Sequence, residues 1–184
     1  MKCAFAFATL LAATACAGEQ VERDRKAVEH DSSAEVLMRT GEAAAQLGDM
    51  TRAEQYLVAA MRAGGDQRRI VKQLLIVCAA DRRYPVAIDY AEQYLRRNPN
   101  DTEVLFAAAS LHAATGSLDS ARLMLTRVVR ERPEWPEPHY VLATVLREYG
   151  SPDLADEHDL AYIKLSPEGP MAETARARLR RVIP

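Results

Sequence analysis

Gly116-Ser117-Leu118-Asp119-Ser120-Ala121 opens a stretch that closes at Arg130-Glu131-Arg132-Pro133, and its punctuation decides the fold. In steps of 34 residues, Ala121 falls in line with Ala53, Ala87 and Ala155. Pro133 falls in line with Pro99 and Pro167, with Gly65 at the earlier place, and Gly116 with Gly48 and Gly150, with Arg82 in the gap. Alanine is abundant, so four in step carry little weight alone. Proline is only nine of 184 residues, so the proline series is hard to obtain by chance. Three series in one register mark an internal repeat.

Each unit reads as helix, glycine turn, helix, proline exit. Glycine accepts the left-handed backbone that ends a helix. Pro85 and Pro152 suit helix starts, where the missing N–H has no partner to lose. Gly41, Ala109 and Ala143 are small where the two helices of a unit approach; Leu75 breaks that pattern. Asp159 stands where Leu57 and Leu125 stand in other units, which predicts a fourth unit partly solvated at that point.

The 34-residue period resembles the tetratricopeptide repeat, with units 34–67, 68–101, 102–135 and 136–169. The resemblance implies an all-α fold: a right-handed superhelix of four helix-turn-helix repeats, closed by a C-terminal capping helix over 170–184. Met171, Ala175, Leu179 and Val182 make the expected apolar stripe of that cap, with Arg176, Arg178, Arg180 and Arg181 as its solvated side. The aromatic that the family often carries early in first helices is replaced here by Leu37, Val71, Leu105 and His139.

In this family first helices line the concave face. Carried over position by position, that face takes Glu35, Met38, Glu42 and Gln46 from the first unit and Arg69, Lys72 and Ile76 from the second. The third supplies Glu103, Phe106 and Ser110, and the fourth Tyr140, Thr144 and Arg147. Apolar anchors among both signs of charge suit an extended or helical peptide, with Phe106 and Tyr140 as the expected anchors, unless they only fill space between adjacent first helices. A carboxylate clamp of paired lysine and asparagine is not expected, because Asn98 and Asn100 both lie in a connecting turn.

Upstream of the repeat the chain reads as an address. Lys2 precedes an apolar run from Ala4 to Ala15, then small residues, then charge from Glu19 onward, the pattern of a secretory signal peptide. Ala13-Thr14-Ala15 before Cys16 resembles a bacterial lipobox, with Ala13 where leucine is usual. That implies a lipoprotein signal over 1–15, a lipidated Cys16 and a flexible tether to residue 33. Ala15-Cys16-Ala17 also suits ordinary cleavage, which would give a soluble periplasmic protein. Ala17, not aspartate, after the cysteine implies the outer membrane by the same resemblance. Ser32 and Glu35 form a capping box that starts the first helix.

With 24 basic and 26 acidic side chains, a net charge of −2, no nucleic-acid partner is expected. Cys78, in Ile76-Val77-Cys78-Ala79-Ala80, reads as a small buried hydrophobe. No phosphate-binding, zinc-peptidase or Cys-x-x-Cys motif appears, and His112 and His139 occupy inter-helix positions. His158 is flanked by Asp156, Glu157 and Asp159, but neighbours on a helix point apart and do not converge on an ion. No catalytic site, metal or cofactor is expected. The expected function is a membrane-anchored adaptor lipoprotein for protein partners in envelope assembly or transport. The alternatives are a soluble periplasmic module regulating cell-wall enzymes, or an enzyme whose site the sequence hides.

Overall fold

A computed structural model describes residues 33–180. The signal, Cys16 and the tether up to residue 32 fall outside them, as does Val182. Every regular element among the described residues is helical. The helices are α1 Ala34–Gln46, α2 Met50–Arg62, α3 Gln67–Ala80, α4 Tyr84–Leu95, α5 Thr102–Ala114, α6 Leu118–Glu131, α7 Pro136–Glu148, α8 Pro152–Leu165 and α9 Ala172–Arg180. They divide into two compact units at Ile70/Val71.

Helix starts follow local chemistry. Asp49 and Asp101 accept from Arg52 N–H and Val104 N–H at 3.0 and 3.3 Å, satisfying donors that a first turn leaves open. Pro85 and Pro152 sit in the first turns of α4 and α8. At α1 the cap is Ser33, whose hydroxyl accepts from Val36 N–H at 3.4 Å, not Ser32 as the capping box predicts. Glu35 is turned away from the cap, toward Arg39 at 3.1 Å and Arg69 at 3.5 Å.

First helices end alike. Gly48, Gly116 and Gly150 take φ of 82°, 77° and 85°. In each the next N–H reaches back to close the turn: Asp49 to Ala44, Ser117 to His112, Ser151 to Leu146. The second repeat keeps the turn without glycine. Arg82 takes φ 57°, and Arg83 N–H donates to Cys78 C=O at 2.8 Å.

In the first compact unit α1 packs on α2, and the periodic Ala53 and Leu57 are fully buried. A Cβ on Gly41 would lie 3.0 Å from the Leu57 side chain and 3.1 Å from Ala53 C=O, so only glycine lets these helices meet this closely. In the second unit α5 packs on α6, α6 on α7, α7 on α8 and α8 on α9. Ala87, Ala121 and Ala155 are fully buried, as are Leu125 and Cys78. One apolar cluster joins α3, α4 and α5 through Val71, Leu75, Ala91 and Val104. Another joins α5 to α8 through Ala109, Leu125, Leu142 and Ala155.

The cap keeps Ala175 of the expected stripe and departs from it at its start. Pro170 and Met171 belong to the turn before α9, so the helix begins at Ala172 and its buried face is Ala172 and Ala175, against Tyr162. Met171 is exposed.

Candidate functional site

The expected concave-face residues separate into three groups. In the first compact unit Met38 is buried, so it is a packing residue and not a ligand contact. Glu42 is half-buried, while Arg69 is exposed and paired to Glu35.

The second group gathers between the first helices α3 and α5. Leu75, Ile76 and Ala79 from α3, with Ala107, Ser110 and Leu111 from α5, line an apolar hollow of about 260 Å³. Ile76 is 61% exposed there, a large aliphatic side chain left to water. Ser110 adds no polar demand, because its hydroxyl donates to Phe106 C=O at 2.9 Å. One turn toward the helix starts, Lys72 Nζ and Glu103 Oε2 meet at 2.7 Å on the exposed surface. An exposed pair of this kind is worth little to stability and is open to re-pairing. The hollow is smaller than the roughly 300–1,000 Å³ of small-molecule pockets, so it suits one apolar side chain. Ile76 and Ser110 were legible from the repeat register; Leu75, Ala79, Ala107 and Leu111 were not, although the run of small residues Ala107-Ala108-Ala109-Ser110, in the unit after Leu75-Ile76, was a usable signal.

The third group is half-buried and engaged in contacts within the protein. Phe106, an expected anchor, packs edge-on against Trp135 with ring centres 4.8 Å apart. Tyr140 lies between Tyr162 and α9, and the Arg178 guanidinium stacks 4.6 Å from its ring centre. Both rings fill space between helices. Thr144 donates to Tyr140 C=O and accepts from Arg178. Arg147 is an expected groove cation, yet its Nη2 donates at 2.6 Å to both Asp156 and Asp159. Burial of the guanidinium opposes its charge, but hydrogen bonds to Asp159 and Asp156 outweigh this and hold it above the ordinary arginine range.

Asp159 is therefore not solvated. It is 0% exposed and is paired with two arginines, one from α7 and one from α9. A buried carboxylate persists only with such partners.

The histidines are packing groups. His112 and His139 are buried. His139 Nε2 lies 3.1 Å from Pro133 C=O, and its Nδ1 lies 3.1 Å from His158 Nδ1. A carbonyl only accepts, so Nε2 carries the proton, and in the neutral pair His158 Nδ1–H donates to His139 Nδ1. Burial, then the neighbouring His139, lowers the His158 pKa against Glu157 and Asp159. Among the described residues no group of three or more His, Cys, Asp or Glu is placed to hold a metal ion.

Helix pairs with left-handed first-helix exits and a buried alanine every 34 residues define the repeat, and sequence profiles of the tetratricopeptide repeat match residues 11–67 and 79–145. The chain belongs to the tetratricopeptide-repeat family. No curated protein sequence matches it. Its fold is similar to the crystal structure of YrrB, described as a TPR protein with an unusual peptide-binding site. The TM-score is 0.70 at 23% identity, over 93% of this chain and 89% of that one. A tetratricopeptide-repeat protein from Parabacteroides merdae superposes with TM-score 0.72 at 20% identity, over 80% of this chain and 59% of its own. MamA from Desulfovibrio magneticus RS-1 gives 0.69 at 18%, over 82% and 93%. Tetratricopeptide repeats are scaffolds for protein–protein contact and are generally non-enzymatic.

Proposed function

We propose that this tetratricopeptide-repeat protein is an adaptor that holds a peptide segment of a protein partner on the α3/α5 face. The observation that carries this is the apolar hollow around Ile76, dry-walled yet open to solvent, with the Lys72–Glu103 pair beside it. One aliphatic or aromatic side chain of the partner enters the hollow and supplies affinity, and the rim charges fix register. YrrB, the similar structure described as having a peptide-binding site, supports the peptide class of ligand.

The address completes the proposal. The small residues before Cys16 support a lipid-anchored protein of the bacterial envelope, and Ala17 after it supports the outer membrane, facing the periplasm, with residues 17–33 as tether. The partner then belongs to envelope assembly or transport machinery. The alternative cleavage within Ala15-Cys16-Ala17 keeps the same binding face on a soluble periplasmic protein.

Two experiments test the two halves. A displayed peptide library is panned on wild type and on Ala107→Glu, which places a carboxylate in the hollow. Enriched peptides sharing an apolar anchor, lost on the variant, support the reading; equal enrichment on both refutes it. Intact mass and membrane fractionation of wild type beside Cys16→Ser test the anchor. A lipidated mass and Cys16-dependent membrane residence support it; an unmodified mature chain in the soluble fraction leaves the diffusible form.

A further inference from the structure

The interval between α7 and α9 repeats the geometry of the α3/α5 hollow with opposite chemistry. By the 34-residue step, Arg147 stands where Ala79 lines the hollow, and Arg178 stands where Ser110 lines it. Asp159 stands where Leu125 is buried one unit earlier. Three departures from the repeat thus meet in one place. α9 occupies the position of a fifth first helix, and arginine fills the space that is empty and apolar between α3 and α5.

Arg178 is gripped on several sides. Its Nη1 donates to Thr144 Oγ1 at 3.1 Å and reaches Asp159 Oδ1 at 3.4 Å. Its Nη2 donates to the Tyr140 hydroxyl at 3.0 Å, and its Cζ lies 4.6 Å from the Tyr140 ring centre. Buried carboxylate, aromatic face and two hydroxyls match a planar, multi-donor cation and not a point charge. The remainder of α9 adds one polar tie, Arg176 Nη2 to Pro167 C=O at 2.7 Å, and little apolar burial. Its buried apolar residues are the two alanines Ala172 and Ala175, and Leu179 is half-buried. Asp159 also keeps Arg147, so the site retains a countercharge when Arg178 leaves.

We propose that Asp159, Tyr140 and Thr144 form a guanidinium-binding site that Arg178 fills in cis, making α9 a latch released when an arginine side chain of a partner helix takes the same place. The site is separate from the α3/α5 hollow and does not depend on the function proposed for it.

The test uses the full chain as Arg178→Ala and Arg178→Lys. Hydrogen exchange of the 172–180 amides is expected to accelerate by about tenfold or more in Arg178→Ala, while α5 and α6 amides keep their protection, because a charge-assisted contact to a buried carboxylate is lost locally. Millimolar methylguanidinium is expected to raise the melting temperature of Arg178→Ala. Methylammonium at equal concentration is not, nor is methylguanidinium on Arg178→Ala combined with Asp159→Asn. Unchanged exchange in α9, or equal effects of the two cations, overturns the proposal. Global unfolding of Arg178→Ala also overturns the latch, unless Arg178→Lys folds and shows the same local loosening. Lysine-bearing α9 with wild-type protection refutes guanidinium selectivity.

Discussion

Arg147 of α7 and Asp159 of α8 meet at 2.6 Å inside the last repeat, at positions that are Ala79 and Leu125 in the hollow-lining and apolar-core sites of earlier repeats. Removing Asp159 leaves Arg147 with Asp156 alone and Arg178 with only the Thr144 and Tyr140 hydroxyls. Asp159→Ala is expected to destabilise by about 2–3 kcal/mol, the loss of charge-assisted hydrogen bonds from two arginines. Asp159→Leu combined with Arg147→Ala returns two positions to the repeat's apolar chemistry and is expected to recover part of that loss, with Arg178 and Asp156 left without their partners. Urea unfolding of the three proteins checks this. A double variant no more stable than Asp159→Ala would show that the network supports the fold beyond charge pairing.

Arg82 carries a left-handed φ of 57° that the other repeats give to glycine. A side chain there strains the backbone by about 1–2 kcal/mol, offset in part by the greater unfolded-state freedom of glycine. Arg82→Gly is expected to stabilise by about 0.5–1 kcal/mol. Gly116→Ala, at φ 77° with open space around its Cβ, is expected to destabilise by a similar amount through the backbone alone. Paired thermal melts read both signs, and a destabilised Arg82→Gly would contradict the account.

His158 links stability to acidity. Burial, then His139, lowers its folded-state pKa below the ordinary 6.5. As pH falls through 6.5 the unfolded chain binds the proton first, so it gains relative to the folded chain. Above 6.5 both states are neutral and no penalty exists; the penalty grows from there down to the folded-state value and is complete below it. His158→Gln is expected to flatten the fall in stability between pH 7.5 and 5 relative to wild type. Identical slopes would remove His158 as the cause.

Phe106 and Tyr140 are packing residues on this account. Phe106→Ala is expected to cost about 2 kcal/mol through loss of the Trp135 contact, less than the roughly 3–5 of a fully buried ring. A melt unchanged from wild type would return Phe106 to the ligand face.

The fold was legible because its signals are local. Gly48, Gly116 and Gly150 are fixed by backbone sterics and Ala53, Ala121 and Ala155 by helix contact, so each repeats with the period. Within the candidate site, Ile76 and Ser110 followed from register alone. Asp159 was misread because its partner Arg178 comes from α9, outside the repeat, and one unit compared with another cannot show what a cap brings. Tyr140 failed for the same reason, since α9 covers it. The usable sign was correlated departure: Arg147, Asp159 and Arg178 all break the pattern within one interval. In the cap, Ala175 followed from the helical stripe, while Ala172 takes the buried place expected of Met171 because the helix begins only at Ala172.

Ile76 gives the most direct test of the adaptor reading, because its side chain is exposed at the hollow while Ile88 and Ile163 lie on second helices. Isoleucine methyl NMR would follow titration with a peptide selected on the wild-type protein. A saturable shift of the Ile76 methyl is expected, with Ile88 and Ile163 unmoved, and loss of the effect in Ala107→Glu. Saturable binding that leaves Ile76 in place, or that shifts Ile88 or Ile163 instead, would contradict it.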